Sequence, residues 1–267
     1  MPGCSHALKD GVTTGVGFTP YGNAFLILML PHSVITISIV TAIVPLLSGH
    51  AIDGKIQEIH DELVRAIRLV GIITVPSAIA FLLYGPLITR TLFFGISNAD
   101  ARYLGLVLCA FAVGLLPLSV NLIALRGLNA FENVKLQVLS NAIMNVAASL
   151  MALFAALVLP AKWVTVGLAG ALALSYYIGA WTSIRLLKRY EISIRTQEIT
   201  GLYSRLALIY GAVAIPLYFI MGHLPGGNTF KLIVVLLFSG LGYLGLARTF
   251  KIAEVGTAFS LFLKPRR

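Results

Sequence analysis

Charged side chains are scarce in this sequence. Asp, Glu, Lys and Arg make up 11% of the 267 residues, whereas hydrophobic residues make up 58%. Soluble domains carry about a quarter charged residues, because a globule folded in water needs a charged exterior. The composition therefore excludes an ordinary soluble domain and predicts that lipid surrounds most of the chain.

Cysteines and carboxylates are also few. The two cysteines, Cys4 and Cys109, exclude a disulfide framework and a thiolate metal site. None of the ten Asp and Glu residues lies deep in an apolar run, which excludes a proton relay of buried carboxylates in this chain. The HExxH, P-loop, GxSxG and paired CxxC motifs are absent. We therefore predict neither an enzyme nor a cofactor.

Long apolar runs dominate what is present. About 20 helical residues cross the hydrocarbon core, and only helices or closed barrels satisfy their backbone groups in lipid. Strict alternation of polar and apolar residues is missing, so we predict an all-α polytopic membrane protein. The seven predicted spans are Tyr21–Leu47, Leu69–Phe94, Tyr103–Leu125, Leu136–Leu159, Trp163–Leu187, Arg205–Met221 and Phe230–Ala247.

The predicted domain organisation has three parts: a polar amino-terminal tail at 1–20, a seven-helix bundle at 21–250 and a basic cytoplasmic tail at 251–267. Within the bundle, residues 49–68 repeat apolar side chains at helical spacing with charged residues between them. This pattern predicts an amphipathic cytoplasmic helix. It would either anchor the turn at the membrane surface or couple two spans during a conformational change.

The basic residues are unevenly distributed between the two sides of the predicted bundle. The segments that follow the first, third, fifth and seventh spans hold 15 of the 20 Lys and Arg residues. The positive-inside rule then places the carboxyl terminus in the cytoplasm and the amino terminus outside. This spread between spans also argues against nucleic acid as a partner. The tail at 1–20 lacks the zones of a signal peptide, so we expect one half of a larger membrane protein or a fragment of it.

A few polar residues interrupt the apolar runs. His32 lies well inside the first span, where an ionisable residue commonly faces a wet cavity or bonds to a neighbouring helix. Asn141, Asn145 and Ser149 form one stripe on the fourth span, and Asn121 on the third could face it. We expect this stripe to hold helices together.

Small residues thin out the last two spans. Ala207 and Gly211 lie on one face of the sixth span, and Gly240, Gly242 and Gly245 lie on the seventh. Such residues produce either a tight helix contact or a groove that suits a lipid tail, and the sequence leaves both open.

Several segments, taken in order, resemble the carboxyl-terminal half of the MurJ/MviN family, the bacterial flippases of the peptidoglycan precursor lipid II. "LPHSVITISIVTAIVPLLS" (30–48) is similar to the proline-bounded eighth helix of that family. "IHDELVRAIRLVGIITVPSAIAFLLYGPLITRTLFF" (59–94) resembles its cytoplasmic helix and ninth span. "ALRGLNAFENVK" (124–135) and "KWVTVGLAGALALSYYIGAWTSIRLLKR" (162–189) resemble a later loop and the twelfth helix. The resemblance covers about residues 20–260.

The resemblance implies the last seven helices of a fourteen-helix flippase in the bacterial plasma membrane. In its exporter superfamily, two bundles rock about a cavity whose cations hold the pyrophosphate, and a groove beside the last two helices takes the polyprenyl tail. The implied partners are lipid II or a similar polyprenyl-pyrophosphate glycolipid, membrane lipids and the amino-terminal half of the flippase.

The implied substrate-binding residues on the first span are Tyr21, Asn23 and His32. The family often has an arginine where this sequence has Leu26, so we do not expect the chain to flip lipid II alone. Two alternatives stay open: an exporter of another polyprenyl-linked glycan or drug, and a non-transporting scaffold or degenerate fragment.

Overall fold

Helices account for nearly all of residues 17–250, the part of the chain that the computed structural model describes. In chain order they are α1 (Phe18–Pro31), a π-helical segment (His32–Thr36), α2 (Ile37–Ile52), α3 (Ile56–Leu92), α4 (Asn98–Ala112), α5 (Leu115–Ala130), α6 (Val134–Val158), α7 (Ala161–Leu187), α8 (Thr196–Ile220) and α9 (Asn228–Thr249). Short 3₁₀ turns at Lys188–Tyr190 and Met221–His223 follow α7 and α8.

Six stretches of the described residues are long and apolar enough to cross a membrane, and the bent pair α4–α5 makes a seventh if it is counted as one span. The first of the six is the continuous stretch Phe18–Ile52, which joins α1, the π-helical segment and α2. The prediction of an all-helical membrane protein with about seven spans is therefore confirmed.

Residues 49–68 do not form one separate helix. Residues 49–52 are the last turn of α2, a tight turn follows at 53–55, and 56–68 begin α3, which continues to Leu92. Gly54 adopts a positive φ of 70° in this turn, a conformation that glycine reaches without steric cost. Beside it, the Lys55 ammonium holds the pKa of the Asp53 carboxyl below its usual range. The predicted helical residues are helical on both sides of this glycine turn, but they belong to two different helices.

Helix α3 is the centre of the bundle. In its most apolar stretch 61% of the residues are buried, against 6% in α6. One apolar cluster packs the second half of α3 against α1, α4, α8 and α9, and another packs its first half against α2, α5 and α7. The two halves of α3 therefore contact nearly every other helix.

Proline lies inside α3 without breaking it, because a neighbouring helix replaces the missing hydrogen bond. Pro76 has no N–H to donate to the carbonyl of Ile72, four residues earlier. The hydroxyl of Tyr243 on α9 donates to that carbonyl at 2.8 Å. Lipid would have supplied no such donor, so this contact both satisfies α3 and fixes α9 against it.

The bend between α4 and α5 has a similar cause. The two helices meet at an angle of 41°, and Pro117 in the first turn of α5 cannot donate to the Val113 carbonyl. The Tyr177 hydroxyl on α7 donates to that carbonyl at 3.0 Å. A Cβ added to Gly114 would lie 2.7 Å from the Cα of Ala173. The backbone of α7 therefore packs closely against the bend.

Candidate functional site

His32 lies in a buried polar cluster between the first span and α5, which we call the His32 cluster (His32, Thr36 and Ser119). The imidazole is 6% exposed, and its Nδ1 lies 3.0 Å from the Ser119 hydroxyl oxygen. Thr36 donates to the same oxygen at 3.1 Å, and Ser119 donates its own proton to the Leu115 carbonyl at 3.1 Å.

These three bonds fix the proton on the histidine. A serine hydroxyl has one donor and two acceptor positions, and the donor is used on Leu115. Nδ1 of His32 must therefore donate, which leaves Nε2 as the acceptor in the neutral ring. This tautomer is assigned from the hydrogen-bond network. His32 is thus bonded to a neighbouring helix, one of the two arrangements the sequence left open.

The backbone around His32 is irregular. Pro31 ends α1, the His32 N–H bonds to the Met29 carbonyl, and the next turn is a π-helix from His32 to Thr36. π-helical turns are rare in proteins, and those that occur are often found at functional sites. The widened turn directs His32 and Thr36, four residues apart, at the same serine.

Tyr21 and Asn23 lie about 16 Å and about 13 Å from His32 along the helix axis, by the rise of 1.5 Å per residue. Tyr21 packs edge-on against Phe111 of α4, with ring centroids 5.0 Å apart, so its ring is a packing element. Asn23 is partly exposed, and its amide makes no hydrogen bond to any residue in 17–250. The structure therefore does not bring the three predicted residues into one pocket.

The face of the first span that points away from the bundle carries hydroxyl groups among apolar residues. Ser33, Ser38 and Thr41 are exposed there, and each hydroxyl donates to a carbonyl of its own helix. Leu26 is also exposed on the first span, at 65%. We call the surface with the three hydroxyls the hydroxyl face (Ser33, Ser38 and Thr41). This surface was not predicted from the sequence, although the hydroxyls at positions 33, 38 and 41 were its signal.

A second buried polar cluster joins α5 to α6 and α7, and we call it the Asn121 cluster (Asn121, Ser140 and Ser183). The Ser183 hydroxyl donates to Oδ1 of Asn121 at 2.7 Å, and the hydroxyls of Ser140 and Ser183 lie 2.8 Å apart. The amide nitrogen of Asn121 contacts the Met144 sulfur at 3.6 Å.

The predicted stripe on α6 does not join this cluster. Asn145 and Ser149 are exposed and Asn141 is partly buried, whereas Ser140 and Met144 meet Asn121 and Ser183. The prediction that Asn121 faces the stripe is wrong by one helical position, which rotates a side chain by about 100°.

The last two helices touch at one glycine, and two other glycines face open space. A Cβ added to Gly242 on α9 would lie 2.7 Å from a methyl carbon of Val213 on α8, so these helices touch there. Gly240 and Gly245 have open space where a Cβ would be, and Leu208 and Phe219 on α8 are more than 70% exposed. One glycine thus serves a close helix contact, and the other two leave space that a lipid tail could occupy.

Comparisons with known proteins agree with this architecture. The family model described as "Lipid II flippase MurJ" matches residues 9–253. A solved structure described as "Lipid II flippase MurJ, inward closed conformation" superimposes with a TM-score of 0.70 at 17% sequence identity. The match covers 87% of this chain and 46% of that one, so this chain spans about half the length of the solved protein.

Proposed function

This chain belongs to the lipid II flippase MurJ family, and we propose that it acts in translocating lipid II across the bacterial plasma membrane as the carboxyl-terminal part of a larger transporter. The observation that carries the proposal is the family match over residues 9–253. The fold supports it, because its helices superimpose on about half of a solved flippase. The chemistry would be transport, without a catalysed reaction.

We propose that the amino end of the chain lies outside the cell and the carboxyl end inside. The α2–α3 turn, the α5–α6 turn and the segment between α7 and α8 would then be cytoplasmic. This orientation rests on the distribution of Lys and Arg. It agrees with the odd number of spans that would have to precede this chain if both ends of the whole transporter were cytoplasmic.

The headgroup of the substrate would pass along the hydroxyl face. A charged headgroup cannot cross hydrocarbon cheaply, and serine and threonine oxygens offer acceptors to water and to sugar hydroxyls. Asn23, with its amide unused by residues 17–250, would contact the headgroup directly. Tyr21 and His32 would hold the first span in the shape that presents this face.

The pyrophosphate needs cations that this part of the chain does not supply. Residues 18–52 contain no lysine or arginine. The exposed Leu26 stands where the family often has an arginine. The amino-terminal half of the transporter would face the hydroxyl face and provide the positive charge. The polyprenyl tail would stay in lipid beside Gly240 and Gly245, where the α8–α9 surface leaves space.

The same lack of cations favours one second candidate, a non-transporting scaffold that keeps the packing of the family. Depletion and rescue separates the two. Cells depleted of their lipid II flippase receive either this chain alone or this chain joined to the amino-terminal half of a flippase. We expect growth and lipid II translocation to return only with the joined protein.

Two outcomes of the rescue experiment would contradict the proposal. Rescue by the chain alone would refute its dependence on a second half. Failure of a joined protein that is stable in the membrane would favour the scaffold.

A further inference from the structure

A cavity of about 390 Å³ lies where α3 ends and α4 and α9 begin. It is far from the hydroxyl face in the chain, and the proposed function makes no use of it. Four polar residues and three apolar ones form its walls: Arg90, Asn98, Arg102 and Asn228, with Pro86, Leu87 and Ala101.

The two arginines of this cavity have no carboxylate partner among the side chains that the structure describes. The closest acid in sequence, Asp100, is bonded to the Ser97 hydroxyl at 2.7 Å. Two positive charges on one cavity repel each other, and an anion between them removes that repulsion. The guanidinium group presents a planar fork of donors that suits phosphate oxygens.

The walls are held rigidly before any ligand arrives. A Cβ added to Gly105 on α4 would lie 2.6 Å from the backbone nitrogen of Pro86 on α3. The Thr89 hydroxyl on α3 donates to the Ala101 carbonyl on α4 at 2.7 Å. Both contacts lie about one turn or less from the arginines. Helices α3 and α4, which carry the two guanidinium groups, therefore cannot separate without losing these contacts.

Below the arginines the surface becomes apolar on both helices. On α3, Leu82, Pro86 and Arg90 follow one another at intervals of four residues, and on α4 Arg102 and Leu106 do the same. Leu82 and Leu106 are 45% and 43% exposed. The helices run in opposite directions, so each column leads from a cation at the bundle end to an exposed leucine nearer its middle.

We propose that this cavity binds the headgroup of an anionic phospholipid, with the phosphodiester between Arg90 and Arg102 and an acyl chain along Leu82 and Leu106. The side-chain amides of Asn98 and Asn228 bind the glycerol or headgroup hydroxyls. A free phosphate ion would use the arginines but would gain nothing from the apolar columns. With the proposed orientation, this lipid belongs to the outer leaflet.

Native mass spectrometry of the detergent-solubilised chain tests the site. Phosphatidylglycerol and the zwitterionic phosphatidylcholine are titrated against the wild type and against a double variant, Arg90→Gln with Arg102→Gln. We expect phosphatidylglycerol to bind the wild type more tightly, and the double variant to lose about tenfold or more, since two charge-assisted bonds are removed. The control double variant, Arg189→Gln with Arg195→Gln, loses the same charge elsewhere and should bind like the wild type.

Four results would overturn the proposal. The control variant could lose as much affinity as the cavity variant, or phosphatidylcholine could bind the wild type as tightly as phosphatidylglycerol. Alternatively, millimolar inorganic phosphate could displace the lipid, which would make this a free phosphate site. A pair with Arg90→Lys and Arg102→Lys guards against misfolding: it should keep part of the affinity, and a folded lysine pair with none would also refute the proposal.

Discussion

Helix α5 carries two polar residues that belong to different regions of the molecule. Ser119 joins the His32 cluster on the side of α1 and α2, and Asn121 joins the Asn121 cluster on the side of α6 and α7. Both clusters are buried and rest on bonds of about 3 Å. They differ in the backbone around them, because the first includes a π-helical turn next to a proline and the second joins regular helices.

We expect this difference to separate a changeable contact, the His32 cluster, from a fixed one, the Asn121 cluster. The His32 cluster is the polar link between α5 and a first span that is exposed on its hydroxyl face. The Asn121 cluster is backed by close packing, since a Cβ added to Gly179 would lie 2.7 Å from the Met144 sulfur and 3.2 Å from the Asn121 amide nitrogen. We infer that, in the proposed transport, the first region shifts and the second stays together.

The largest expected effect comes from forcing the fixed region apart. Gly179→Leu places a side chain where Met144 and Asn121 now lie, and overpacking of this kind costs about 1–3 kcal/mol. We expect a lower melting temperature of the purified protein. Gly170→Leu on the same helix meets nothing within 4 Å and should leave the melting temperature unchanged; an equal loss in both variants would show that the contact is not the cause.

Removal of the contact between the histidine and serine in the changeable region should affect transport more than stability. In the joined protein, His32→Ala and Ser119→Ala each remove one partner of the same bond, so the double variant should be no worse than the poorer single variant. The measurements are lipid II translocation and melting temperature. Independent, additive losses of translocation would disprove that the two residues act as one unit, and unchanged translocation would reduce the cluster to packing.

The smallest effect should come from one bond of the fixed region. Ser183→Ala removes the donor to Asn121 and leaves α5, α6 and α7 otherwise packed, and interhelical hydrogen bonds in membranes are worth about 0.6 kcal/mol on average. We expect a slight loss of stability and normal translocation. If Ser183→Ala impaired translocation as strongly as His32→Ala, the distinction between the two regions would fail.

The spans were predictable from the sequence, because lipid imposes a length and an apolar composition on each helix. The direction in which polar residues face was not. On a helix surrounded by lipid, apolar residues occur on every side, so the spacing of Asn141, Asn145 and Ser149 defines a stripe without saying which side meets α7. The structure places Ser140 there instead.

The π turn and the arginine cavity could not be predicted from the sequence either. Pro31 was visible as a break, but the residues of the π turn after it bond to Ser119, 87 residues away from His32. The arginine cavity combines residues of α3, α4 and α9, and the contact of Gly105 with Pro86 that holds it appears only when two helices are packed. Such features depend on contacts between distant residues, whereas hydropathy reports single segments.

The most direct test of the proposed path is photo-crosslinking of lipid II at single positions of the joined protein. A photoreactive phenylalanine analogue replaces Ser38 on the hydroxyl face or Leu174 on the outward side of α7, both of which are exposed. Membranes are irradiated, and lipid II attached to the protein is detected through a label on its peptide. We predict strong crosslinking at Ser38 and background at Leu174; equal crosslinking at both positions, or crosslinking only at Leu174, would contradict a headgroup path along the first span.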